Sequence, residues 1–179
     1  MKNFSDSFIK QQNSPAYPIP PLSLILVLSS VMFYSAVGMA RGEGETPKIV
    51  DNVAIHHYEA GKSYGYTLPV YQVGDIRFLS GGVGVEEREA AYPPFSVKLI
   101  LAQKPRAFLA HVSLLIQDEK GQTVVNIPNE LVTGPWVFIN LPAGQYHIIG
   151  TSREGVRIER TIRVKTGPTR VHHLIWPAS

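Results

Sequence analysis

From residue 95 onward the chain alternates between apolar and polar residues. Phe95, Val97, Leu99 and Leu101 fall on one face of an extended segment, and Ser96 and Lys98 fall on the other, which is the two-residue period of a half-buried strand. Phe108, Ala110, Val112, Leu114 and Ile116 repeat the rule. Asp118-Glu119-Lys120-Gly121 reads as a turn whose last residue can take the left-handed conformation, and Thr123 to Asn126 as a short partner strand. Trp136, Phe138 and Leu141 are expected to point inward from the next strand. Pro142 presets φ at the second position of a turn, and Gly144 suits the fourth position of a type I turn. Tyr146, Ile148 and Gly150 share one face of the strand after that turn. Arg153-Glu154-Gly155 closes a hairpin into Val156, Ile158, Ile162 and Val164, and Thr166-Gly167-Pro168 leads into a last strand from Arg170 to Trp176. Short strands at regular spacing with turn residues between them predict a sandwich or barrel. Arg160 breaks the scheme, standing on the face of Val156, Ile158, Ile162 and Val164. Either a bulge shifts the register there, or Arg160 lies at the rim and keeps its charged head in water.

Before residue 95 the pattern is looser. Residues 49–73 mix Val, Ile, Tyr and His with Gly61, Gly65 and Pro69, which predicts one or two short edge strands and no helix. Val70 to Val73 is the best strand among them. Ile76 to Ser80 is strand-like, and Gly81, Gly82 and Gly84 permit positive φ after it. Val85 to Ala91 has enough helix formers for about two turns before Pro93-Pro94 stops it, and is the one helix expected in the mature chain.

The N-terminus adds an address. Lys2 and Lys10 precede a nearly unbroken apolar run from Leu22 to Val37, and Gly38-Met39-Ala40 has the small-x-small form of a cleavage site. This pattern reads as a secretory signal peptide, with an uncleaved anchor as the alternative. The run is shorter than the roughly 20 residues that span a bilayer comfortably. The expected division is a signal segment over 1–40, a Gly-rich tether over 41–48, an extension with edge strands, glycine loop and helix over 49–92, and a β-sandwich over 93–179. There is no cysteine, which excludes disulfides, thiolate catalysis and Cys-ligated zinc. An exported chain without disulfides points to the periplasm, or secretion, of a Gram-negative bacterium. The formal net charge of +3 is small and gives no reason to expect a nucleic-acid partner.

Candidate chemistry is sparse. Gly81-Gly82-Val83-Gly84 runs into a helix, an arrangement that can cradle phosphate through backbone amides. Glu86, Glu87 and Glu89 would repel an anion, however, and no Gly-Lys-Ser/Thr comes after them. The alternative is a backbone crossover whose glutamates suit the start of a helix. Glu86, Glu87, Arg88 and Glu89 form either a polar site or a face that anchors the helix. The pairs His56-His57 and His172-His173 sit on apparent strands, so neighbours point to opposite faces and cannot ligate one ion together. No H-E-x-x-H spacing and no G-x-S-x-G is present. Tyr58, Tyr64, Tyr66 and Tyr71 form either a recognition surface or the cover of an open end of the sandwich.

With these residues in view a resemblance emerges. Residues from about Pro94 to Trp176 resemble the carboxypeptidase regulatory-like domain. The matching features are the strand Val112 to Ile116 before Asp118-Glu119-Lys120-Gly121, and the string Phe138-Ile139-Asn140-Leu141-Pro142-Ala143-Gly144-Gln145-Tyr146. Related collagen-adhesin repeats share the string. Ser80 to Glu89 and Gly134-Pro135-Trp136 are similar to a group of small exported proteobacterial proteins of uncharacterised role. The resemblance implies an all-β, transthyretin-like (prealbumin-like) sandwich in an exported setting, in which the tyrosine after the glycine packs beside the turn. It implies no peptidase activity, because such a module accompanies the enzyme without its zinc site.

The expected role is a binding or interaction module of the cell envelope without turnover, with no cofactor and no metal. Its partner would be an envelope protein or an extracellular ligand, and membrane contact would arise only if the signal segment is retained. Candidate binding residues are Gly81, Gly82, Gly84, Glu86, Glu87, Arg88, Tyr64, Tyr66 and Tyr71; an unpaired sheet edge is a further receiving surface. Two rivals stand beside this. One is a metal-dependent envelope enzyme, which needs at least three of His56, His57, His111, His147, His172, His173, Glu86, Glu87 and Glu89 to converge. The other is a structural subunit tethered to the membrane.

Overall fold

The alternating residues form strands, and the looser residues before them add three more. The structure, a computed structural model, describes residues 45–60, 62–105 and 107–178, with the backbone alone for residues 57–59, 63 and 64. Residues 1–40, expected to be a signal segment, and half of the expected 41–48 tether lie outside the described residues. In chain order the elements are β1 (Lys48–Glu59), β2 (Lys62–Val73), β3 (Ile76–Gly81), α1 (Val85–Glu89), β4 (Val97–Gln103), β5 (Ala107–Phe108), β6 (Ser113–Asp118) and β7 (Thr123–Ile127). A 3₁₀ turn (Asn129–Leu131) comes next, then β8 (Trp136–Ile139), β9 (Gly144–Thr151), β10 (Arg157–Val164) and β11 (Arg170–Trp176). The chain is an all-β sandwich. Among the described residues no helix is long and apolar enough to cross a membrane.

The larger sheet runs β1-β2-β3-β8-β4-β11, with β5 added to the end of β4, and the smaller runs β10-β9-β6-β7. β11 lies parallel to β4; the other pairs are antiparallel. Residues 49–73 therefore do more than the short edge strands expected of them. They form a hairpin of two twelve-residue strands that joins the sandwich through β3 and β8.

The main core lies between the sheets. Phe78, Val97, Leu99, Leu101, Val137 and Ile139 from the larger sheet meet Leu114, Ile116, Val125, Ile127, Ile148 and Ile162 from the smaller. A second cluster of Val53, Ile55, Leu68, Val70, Leu79, Phe95 and Phe138 lies on the other, outer face of the larger sheet, with Ala90, Tyr92 and Trp136 packed against it. The expectation that Trp136 and Phe138 enter the sandwich interior is corrected here. Both point outward, and Val137 and Ile139 fill the interior instead. A strand buried on both faces reads as a continuous apolar run, so its phase is not visible in sequence.

Two further local readings resolve. The alternation from Phe108 to Ile116 is broken at His111, whose φ is +56°, so Val112, Leu114 and Ile116 are buried while Phe108 is exposed. Arg160 lies at the rim. The β9–β10 register runs unbroken from Arg157 to Val164, and Arg160 Nη1 donates to the His173 carbonyl at 2.8 Å. The Tyr146 hydroxyl donates to the Pro142 carbonyl at 3.0 Å and pins the Leu-Pro-x-Gly turn to the strand leaving it.

Candidate functional site

The glycine loop leaves β3 under tight packing. Gly81 pairs with Trp136, and a Cβ on Gly134 would lie 2.3 Å from the Gly81 carbonyl oxygen, so two backbones meet where no side chain fits. The Ser80 hydroxyl locks the same crossing by accepting from the Gly134 amide at 3.0 Å. Gly82 adopts φ +86°, and a Cβ there would come within 2.6 Å of the Trp136 ring. Glycine is needed at both 82 and 134, for conformation at the first and for space at both.

The helix after the loop closes it. Glu87, on α1, is buried despite its charge. Its Oε2 accepts from the Val83 amide at 3.0 Å and its Oε1 from the Tyr66 hydroxyl at 2.8 Å. Its backbone carbonyl accepts from the Tyr92 hydroxyl at 2.7 Å. A carboxylate of the chain itself thus takes the loop amide that an anionic ligand would use, and both phenols clamp the five-residue helix to the sheet. Tyr66 is pushed up to about 12, first by loss of water around its hydroxyl and then by the hydrogen bond and charge of Glu87. Tyr92 is also pushed up to about 12, by burial first and then by the Glu87 charge.

Of the expected site residues, Gly81, Gly82, Glu87 and Tyr66 meet in this latch. Gly84 caps α1, where its carbonyl accepts from the Arg88 amide at 3.2 Å, and Arg88 is exposed. Tyr71 faces the opposite side of β2, stacked on Phe78 with ring centroids 5.4 Å apart, and so helps to cover the main core. Tyr64 lies on β2 in register with His57, and its side chain is outside the described residues. Tyr66 and Tyr71 therefore do not share one recognition surface.

An open groove of about 430 Å³ runs between the outer side of α1 and β1. Ala54 and His56 line it from β1, with Val85, Glu86, Glu89, Ala90 and Ala91 from the helix and the residues after it. Sequence reasoning singled out His56, Glu86 and Glu89 but not Ala54, Ala90 or Ala91, whose side chains carry no chemistry to mark them. A second groove of about 220 Å³ lies at the β6–β7 turn beside Asp118, Tyr146 and His147. There His147 Nε2 lies 3.1 Å from Glu159. Among the described residues no three His, Asp or Glu side chains come together in a way that could hold a metal ion.

β1 is the outermost strand of the larger sheet among the described residues. Ile49 and Val50, beside a register shift between Ile49 and Asp51, are 60% and 49% exposed on it. No family model, no curated protein and no solved structure matches this chain.

Proposed function

We propose that this chain is an exported binding module of the cell envelope, a transthyretin-like sandwich of the carboxypeptidase regulatory-like kind that works without turnover. Its receiving surface is the β1 edge and the groove beside it. An extended segment of a partner protein would add to β1 through backbone hydrogen bonds, with side chains on one face entering the groove under α1. One observation carries this reading: a twelve-residue outermost strand with exposed Ile49 and Val50 borders an open groove. Edge strands are ordinarily protected by lysines, prolines, bulges or short length. β1 has Lys48 and a register shift beside Asp51 at its start, while residues 52–56 have no Lys, Asp, Glu or Pro and run in unbroken register.

The glycine loop and Tyr66 are less suited to the role, because Glu87 already engages both. A periplasmic or secreted address rests on the n-region, the apolar run and the small-x-small site, and a mature N-terminus near Arg41 would support it.

The test is site-specific photocrosslinking in the native envelope, with the reactive side chain at Ala54 and a reference position at Thr161. The same capture is then run in a Val50→Lys, Ala54→Lys background, with the probe moved to Ala91. A partner captured from 54 and 91, not from 161, and lost in the double variant is the expected result. Equal capture from both positions, or capture unchanged by the lysines, overturns the edge as the receiving surface.

A further inference from the structure

Among the described residues, the outer face of the larger sheet is covered over β1, β2, β3 and β8 and bare over β4, β5 and β11. Register fixes what the bare half presents. Val97, Leu99, Leu101 and Leu174 turn into the main core, so their neighbours Lys98, Ile100, Ala102, Val171, His173 and Ile175 turn outward. Phe108 stands beside Ala102 on the same face. Phe108, Val171 and Ile175 are 60%, 51% and 50% exposed, and Ile100 and Ala102 are half-buried between them. Large apolar side chains gathered on one face of a folded chain mark a surface that meets something.

Charge says what that something is. β4, β5, β8 and β11 contain no Asp or Glu, while Lys98 on this face and the exposed Lys104 just past the end of β4 are cationic. The asymmetry extends through the molecule: residues 45–92 hold four basic against seven acidic side chains, and residues 93–179 hold ten against five. The bare face thus belongs to the positive half. A second copy docked face to face would bring two faces of the same positive sign together, with no carboxylate on these strands to offset them. A pleated sheet face offers a flat surface, not a slot for one chain.

We propose that this uncovered face docks onto an anionic lipid surface, with Phe108, Val171 and Ile175 entering the headgroup layer and the surrounding cations meeting phosphate. Apolar insertion and attraction to anionic headgroups act together in such docking, and the electrostatic part is lost as salt rises. This surface is separate from the β1 edge and does not depend on it.

Because the chain has no cysteine, a single introduced thiol reports from one position of the full-length protein. An environment-sensitive fluorophore is attached to Ile175→Cys, to Phe108→Cys and, as a reference, to Val83→Cys in the loop of the covered half. Each is mixed with phosphatidylcholine vesicles, with and without phosphatidylglycerol. The expected result is a blue shift at 175 and 108 with phosphatidylglycerol only, quenched by brominated lipid and weakened by salt, with no change at 83. Lys104→Ala in the labelled Ile175→Cys protein weakens vesicle binding about fivefold, the share of one basic side chain near such a surface. No shift at 175, or an equal shift without the anionic lipid, overturns the proposal. A shift at 175 that grows with protein concentration in the absence of vesicles also overturns it, and assigns the face to a second copy.

Discussion

The two halves of the larger sheet's outer face share an apolar alternation and differ in what lies above it. Over β1, β2, β3 and β8, residues 82–95 fold back as loop, α1 and return, and bury Val53, Ile55, Leu68, Val70 and Phe138. Over β4, β5 and β11 nothing among the described residues does this, and Phe108, Val171 and Ile175 stay exposed. Tyr92 marks the frontier, stacking on Phe138 at 4.3 Å, and the Lys98 ammonium lies 3.0 Å from the centre of the Trp136 ring beside it. That contact combines cation–π attraction with partial loss of water, and burial lowers the Lys98 pKa. Apolar spacing alone does not say which half a short segment will cover. Here the latch decides, because Glu87 has its hydrogen-bond donors at Tyr66 and Val83.

The contrast between the halves is most exposed to test at Phe138. Phe138→Ala empties the covered cluster and is expected to cost about 3–5 kcal/mol. Ile175→Ala on the bare half should stay within about 0.5 kcal/mol, and urea unfolding of the two variants measures the contrast. A similar cost for both would mean that the bare half is covered after all.

Removing the latch comes next. Glu87→Ala leaves the Tyr66 hydroxyl and the Val83 amide without their acceptor, for an expected loss of about 1–3 kcal/mol. Hydrogen exchange should rise over residues 82–92 and stay unchanged in β9 and β6. Exchange rising evenly over the chain would show that the cover is not a separate unit.

A weaker signature is expected in the pH dependence. Tyr66 and Tyr92 are raised above the usual 10 to about 12, so the folded state holds protons that the unfolded state gives up. Their contribution is intact below pH 10 and is lost between about pH 10 and 12. Both phenols are partly in contact with solvent, which screens the effect to about 1 kcal/mol or less. Thermal melts at pH 9 and 11 should show a drop that Tyr66→Phe diminishes. An identical drop in that variant would assign it to other groups.

Much of the fold is legible in the sequence. Period-two alternation marks β4, β6, β9 and the buried end of β10; Asp118 to Gly121 and Leu141 to Gly144 mark their turns; and Val85 before Pro93-Pro94 marks α1. The candidate site is less so. Glu87, Tyr66 and the glycines stand out one by one, but Tyr66 and Glu87 are 21 residues apart, and no local spacing says that a phenol will close a glycine loop. Ala54, Ala90 and Ala91 line the groove with side chains that carry no chemistry a sequence could flag.

The local features are written in the chain: strand or helix, where the backbone turns, that no disulfide can form, and that the second half carries the positive charge. These come from backbone sterics, side-chain spacing and composition, which need no distant partner. Only the assembled sheets settle that Val137 and Ile139, not Trp136 and Phe138, enter the sandwich, that β1 and β2 extend the larger sheet, and that Glu87 fills its own glycine loop. Each depends on which surfaces meet across long stretches of chain, and a strand that is apolar on both faces states no preference until its neighbours are in place.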